Sequence, residues 1–298
     1  MDWTSPRATS LIERALREDY ALADATTLLT IDADQMAQAE IRAKQDCILA
    51  GLGLIPRVFQ IFAGMALKTG SAERMPPVVV TSHPEVFDGV RLHTGQTVAV
   101  LRGPARQLLS CERVTLNFLQ RLSGIATMTR KFVDEVRGTG VRILDTRKTA
   151  PGLRLFDKYA VTCGGGMNHR SDLSDAILIK NNHIRLAGGI TSVLQRAHEQ
   201  RRPDQPIEIE VRTMAELDEV LGLGADRILL DNMTPEQIRE AVARVAGRAP
   251  LEISGGIQLA TVRAYAEAGA QFISVGALTH SVPAVDLSMK IVPVGGGR

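Results

Sequence analysis

The sequence predicts an α/β protein in which a mixed α+β segment precedes a parallel β/α barrel. Three observations carry this prediction. The chain has 298 residues, which is two ordinary domains or one large one. Its second half holds six short apolar runs, each followed by a polar loop and a helical stretch: VRILD (141–145), AILIK (176–180), IEIEV (207–211), RILLD (227–231), LEIS (251–254) and FISVG (272–276). The last four start at 207, 227, 251 and 272, so they lie 20, 24 and 21 residues apart. That spacing suits βαβ units on a parallel sheet, and six in a row favour a barrel over an open sheet.

The first part of the chain reads differently. Residues 8–19 form an amphipathic helical pattern with Leu11, Ile12, Ala15 and Leu16 on one face. Met36 to Ala43 alternates as a strand does, and Gly51 to Gly64 reads as a mostly buried helix. Pro76 to Arg102 contains β-rich pieces, PVVVTSH and QTVAVLR, broken by Gly89, Gly95 and Gly103. Pro104 then opens a long helical pattern, suited by its fixed φ and missing N–H to a first turn. A second helix is expected from Ile125 to Val136. The α+β part is assigned to residues 1–112, joined by a returning segment at 281–298, and the barrel to 113–280. The tail VGGGR is expected to lack structure.

Composition removes several function classes. The chain is 45% hydrophobic and 23% charged, with a net charge of +2, so it is not a disordered chain. No global field draws it to nucleic acid or to anionic lipid. The three cysteines, Cys47, Cys111 and Cys163, form no CxxC pair, which argues against a disulfide framework or a zinc site. The N-terminus lacks the basic and apolar regions of a signal peptide. The most apolar stretch, Ile48 to Leu67, is interrupted by Pro56, Arg57 and Gln60, so it does not span a membrane. A cytoplasmic enzyme of small molecules is the expectation.

The chemistry sits where the apolar runs stop. The first ends in Asp145-Thr146-Arg147-Lys148 and the second in Lys180-Asn181-Asn182-His183. The third carries Glu208 and Glu210, and the fourth ends in Asp231-Asn232. The fifth ends in Ser254-Gly255-Gly256 and the sixth in Gly276, with His280 close behind. Barrel enzymes build their sites at this rim, where the loops after the strands converge. Residues 145–185 supply Arg147, Lys148, Arg154, Lys158, His169, Arg170 and Lys180, a set suited to carboxylates or phosphates. Glu210 and Asp231 suit Mg²⁺, ribose hydroxyls or a developing cation. Ser254-Gly255-Gly256 and Gly276 expose backbone N–H groups to a phosphate. Together they suggest an anionic substrate, a phosphorylated sugar and magnesium. The signatures of dinucleotide binding, P-loops, zincins and serine hydrolases are missing. Cys163 before Gly164-Gly165-Gly166 reads as a packing cysteine rather than a nucleophile.

These blocks, taken together, resemble the quinolinate phosphoribosyltransferases. The resemblance covers nearly the whole chain. It is most specific in Asp145-Thr146-Arg147-Lys148-Thr149-Ala150-Pro151-Gly152 and in CGGGMNHRSDLSDAILIKNNHI (163–184). Glu112-Arg113, Leu230-Asp231-Asn232-Met233, Ile253-Ser254-Gly255-Gly256 and the stretch from Ser274 to His280 agree as well. The resemblance implies an N-terminal open-faced α/β sandwich and an incomplete C-terminal (β/α) barrel. It also implies a homodimer with a shared active site, assembled further in some cases.

The implied reaction joins quinolinate to phosphoribosyl pyrophosphate (PRPP) with Mg²⁺, giving nicotinate mononucleotide, pyrophosphate and CO₂ for NAD biosynthesis. By the same resemblance Arg147, His169, Arg170 and Lys180 surround quinolinate, with Arg113 arriving from the neighbouring subunit. Lys148 meets the PRPP phosphates, and Lys148, Glu210 and Asp231 form the catalytic set. Glu210 and Asp231 also stand near the metal. Ser254, Gly255, Gly256, Gly276 and His280 bind the terminal phosphate. Two positions depart from the usual pattern. Ala23-Asp24-Ala25-Thr26 replaces a Gly-Asp-x-Thr, and Asp46 replaces a glycine. Both changes are expected to touch loop shape or the dimer contact rather than the chemistry. Two other readings share these residues: a molybdenum-transport homologue of the same fold, and a non-catalytic barrel that senses a phosphorylated ligand.

Overall fold

The structure is a computed structural model and describes residues 1–70 and 75–294. The expectation for the glycine-rich tail falls on residues past 294, outside this set. The strands, in chain order, are β1 (Met36–Ala43), β2 (Cys47–Ile48), β3 (Val79–Thr81), β4 (Arg91–Leu92), β5 (Thr97–Pro104), β6 (Arg142–Leu144), β7 (Ile177–Ile179), β8 (Ile207–Val211), β9 (Arg227–Asp231), β10 (Leu251–Ser254), β11 (Phe272–Ser274) and β12 (Leu287–Pro293). The chain divides into two compact units.

The first unit comprises Met1–Thr127, Pro151–Gly164 and the segment from Val282. Its antiparallel sheet has the order β12-β1-β5-β3, so the C-terminal segment returns to this unit as expected. Along β1, Ala37, Ala39, Ile41 and Ala43 are buried in strict alternation, as a sheet with one covered face requires. Helix Pro6–Glu18 starts on Pro6, with the Ser5 hydroxyl accepting from the Ala8 amide at 3.3 Å. It buries Ala8, Ile12 and Leu16, four residues apart. Helix Leu54–Lys68 buries Leu54, Ile55, Val58, Phe59 and Phe62.

The two helices expected on either side of Gly124 are one, Ala105–Glu135. Gly124 is there for a close approach: an added Cβ would stand 2.3 Å from the carbonyl oxygen of Pro283. The expected boundary at 112/113 therefore falls inside a continuous helix. Helix Arg154–Cys163, which the sequence places within the barrel, belongs to the first unit. Its Asp157 is fully buried and takes both ends of the Arg121 guanidinium, at 2.9 and 2.7 Å. Beside the first departure, Ala23, and at the second, Asp46, the acids are local braces. Asp24 caps helix Ala25–Thr30 through the Thr27 amide, and Asp46 accepts from the Thr94 amide at 2.9 Å.

The second unit comprises Met128–Ala150 and Gly165–Ser281. Its six strands are all parallel, in the order β6-β11-β10-β9-β8-β7. Each of the six apolar runs became one of these strands. They are short and aliphatic, as strands covered on both faces must be. β6 and β7 stand at the two ends of the order and do not pair with each other. The sheet is an unclosed barrel wall.

Candidate active site

Side chains two apart on a strand share a face. Leu178 and Lys180, Leu229 and Asp231, Glu252 and Ser254, and Ser274 and Gly276 all line one cavity of about 710 Å³. Residues from both ends of the sheet reach it, so the sheet curves around it. Arg147 and Lys148 enter from the loop after β6, and His169 and Arg170 from the loop before β7. Gly255, Gly256 and His280 complete the opposite rim. Glu208 and Glu210 lie opposite Leu178 and Leu229 in register, which puts them on the same face.

Local structure fixes the cations. Asp145 is fully buried and accepts from the His169 amide at 2.8 Å. Its own amide donates to the Met167 carbonyl, and the Met167 amide donates to that of Ile143. The segment before His169 is thereby sewn onto β6 like an extra strand. The Thr146 hydroxyl accepts from the Lys148 amide at 3.0 Å, and the Thr279 hydroxyl donates to the Lys148 carbonyl at 2.8 Å. Gly276 leaves room for the Lys148 side chain: an added Cβ would meet its Cδ at 2.9 Å.

Beneath the cations is a buried acid pair that the sequence did not announce. His169 Nε2 lies 2.9 Å from Glu208 Oε2 and 3.4 Å from Glu252 Oε2. Arg227 adds a 3.1 Å contact to Glu252 and stacks on Phe272 at 4.3 Å. Burial works against a charged His169, but the two carboxylates outweigh it and raise the imidazole to about 9. The Arg170 amide lies 2.7 Å from Nδ1, a hydrogen bond open only to the neutral ring with its proton on Nε2, whereas the two acids favour the doubly protonated ring. Burial, and then the charge of Arg147, push Arg170 below its usual range. Such crowding of like charges favours an anion.

At the rim Glu210 and Asp231, the two carboxylates expected in the catalytic set, already hold cations. Lys180 Nζ is 3.2 Å from Glu210 Oε2. Arg212 spans the pair, with Nε 3.0 Å from Asp231 Oδ2 and a terminal nitrogen 3.4 Å from Glu210 Oε1.

Comparison with known proteins decides the family. The description "Quinolinate phosphoribosyl transferase, N-terminal domain" matches residues 24–123, and the corresponding C-terminal domain matches 125–290. The chain belongs to the quinolinate phosphoribosyltransferase family. A relative from Bacillus subtilis named "Probable nicotinate-nucleotide pyrophosphorylase [carboxylating]" is 40% identical over 94% of this chain and 92% of its own. A tobacco relative named "Quinolinate phosphoribosyltransferase [decarboxylating] 1b" is also 40% identical, over 94% of this chain and 81% of its own. The solved structure of NadC from Streptococcus pyogenes superposes with a TM-score of 0.87 at 39% identity, over 96% of this chain and 98% of that one.

For this member of the quinolinate phosphoribosyltransferases, most sequence-predicted site residues meet at one cavity, and two stand apart from its lining. Glu210 is buried behind Lys180. Arg113 is exposed on the first unit's helix and is not among the residues lining the cavity. Arg154 and Lys158, grouped by the sequence with the rim cations, lie on helix Arg154–Cys163 of the first unit. Lys158 is only 4% exposed and is not among the residues lining the cavity. Cys163 also lies outside the lining, and burial pushes its thiol up to about 11, which suits a packing role. The sequence missed Glu252, Arg227 and Arg212. The signal for Glu252 was present: a lone acid between Leu251 and Ile253 in a buried strand must find a partner. Among the described residues, no helix is long and apolar enough to cross a membrane.

Proposed function

We infer that this protein transfers the phosphoribosyl group of PRPP to the ring nitrogen of quinolinate and releases pyrophosphate and CO₂, forming nicotinate mononucleotide for NAD biosynthesis. The observation that carries this is the family match over both halves of the chain, joined to a cavity that gathers Arg147, Lys148, His169, Arg170 and Lys180. A dianionic pyridine must be desolvated to react, and several fixed cations offset that cost. Arg147, His169, Arg170 and Lys180 hold the two carboxylates and orient the ring nitrogen toward the sugar. Lys148 binds the PRPP phosphates. Ser254, Gly255, Gly256, Gly276 and His280 take the terminal phosphate, through backbone N–H groups at the two turns.

As the C1–pyrophosphate bond lengthens, positive charge builds on the ribosyl carbon, and Glu210 and Asp231 stabilise it. Attack by nitrogen quaternises the ring. The adjacent C–C bond then breaks, its electron pair drawn into the cationic ring as CO₂ leaves, and a proton replaces it on carbon. No side-chain nucleophile is needed.

Magnesium fits the same pair: two hard-oxygen donors at neighbouring strand ends, each already holding a cationic side chain. Glu210 and Asp231 would hold it together with PRPP and water, and it would offset the charge of the leaving pyrophosphate. A homodimer in which Arg113 of one protomer completes the cavity of the other accounts for an exposed arginine outside the lining. Incubation with quinolinate, PRPP and Mg²⁺ tests the reading. Stoichiometric CO₂ and nicotinate mononucleotide are expected; ligand binding with no turnover would leave a sensor of phosphorylated ligands instead.

A further inference from the structure

We propose that Arg212 is a built-in counter-cation that occupies the Glu210–Asp231 seat before substrate arrives and competes there with the divalent ion brought to PRPP. The proposal rests on the reading of Glu210 and Asp231 as the metal-holding pair. Its warrant is the bridge itself. One guanidinium reaches both carboxylates, through different nitrogens, at 3.0 and 3.4 Å. Glu210 also carries Lys180 on its other oxygen. Glu210 is 7% and Asp231 13% exposed at the side chain, so two poorly solvated anions stand close together. Without a cation between them they would repel.

Arg212 is also built to leave. Its side chain is 49% exposed, so solvent can receive the guanidinium. Its backbone stays in place. The amides of Arg212 and Thr213 both donate to Glu216 Oε2, at 2.6 and 3.2 Å, and the Glu216 amide donates back to the Thr213 hydroxyl. This capping box starts helix Met214–Leu223. Only side-chain rotation is then needed to open the seat. Arg cannot lose its charge to do so, so displacement has to come from a stronger cation. Metal occupancy thereby becomes conditional on the extra ligands that PRPP supplies.

The test is Mn²⁺ binding followed by electron paramagnetic resonance, without quinolinate or PRPP, for the wild type, Arg212→Gln, Arg212→Lys and Asp231→Asn. The expected result is that Arg212→Gln binds Mn²⁺ at least about 5-fold tighter than wild type, while Arg212→Lys stays near wild type. PRPP should narrow the gap between wild type and Arg212→Gln. Equal or weaker binding by Arg212→Gln, with its melting temperature unchanged, overturns the proposal, because the arginine would then only be holding the carboxylates in place. Mn²⁺ affinity that Asp231→Asn leaves untouched overturns the metal reading of the pair, and the proposal with it.

Discussion

His169 shows how burial and charge compete at one residue. Burial alone would strip its proton, yet Glu208 and Glu252 hold its pKa near 9. A pKa raised from the usual 6.5 or so contributes stability that is full below pH 6.5 and is lost as pH rises through 9. Charge on the ring should follow the same course. Glu252→Gln removes one of the two acids and should lower the His169 pKa, read by NMR of the imidazole. The alkaline rise in KM for quinolinate should move to lower pH with it; an unmoved His169 titration would contradict the assignment. Lys148→Ala is expected to cut kcat by about 10²–10³-fold, since on the proposed reading this cavity-lining charge binds the PRPP phosphates. Lys158→Ala should act on stability instead, costing about 2 kcal/mol in urea unfolding through the loss of its buried stem.

Among the elements, what was legible and what was not divide along a physical line. The six apolar runs of the second half announced their strands because short aliphatic segments ending in polar residues have few other uses. Their inward faces followed from period two. Pairing across the face was not legible: from the sequence Glu208 is named without its partner, and Glu252 and Arg212 are passed over, because what each will touch is set by neighbouring strands. The break expected near Gly124 failed for a related reason. Glycine reads locally as a helix stop, whereas here it admits the chain at Pro283, which only the folded unit reveals. Gly124→Ala should therefore destabilise by more than about 2 kcal/mol, a clash with backbone that no rotamer relieves. Thermal melts check it. Gly276→Ala makes the opposite test: the nearest atom belongs to the flexible Lys148 side chain, so kcat should fall while the melting temperature barely moves.

For the molecule as a whole, each compact unit has its own logic. The first is a sheet with the C-terminal strand woven into it. The second is an unclosed parallel wall whose strand ends meet at one cavity. The exposed Arg113 links the account to assembly. If it completes a neighbour's cavity, mixing inactive Arg113→Ala with inactive Lys148→Ala should restore part of the activity once subunits exchange. Exchange without restored activity would argue for a self-sufficient site.

The most direct test of the central claim is a crystal structure with quinolinate bound. The two carboxylates should lie among Arg147, His169, Arg170 and Lys180, with the ring nitrogen facing the side of the cavity that holds Asp231. Quinolinate bound away from these four side chains, or no binding at millimolar concentration, would contradict it.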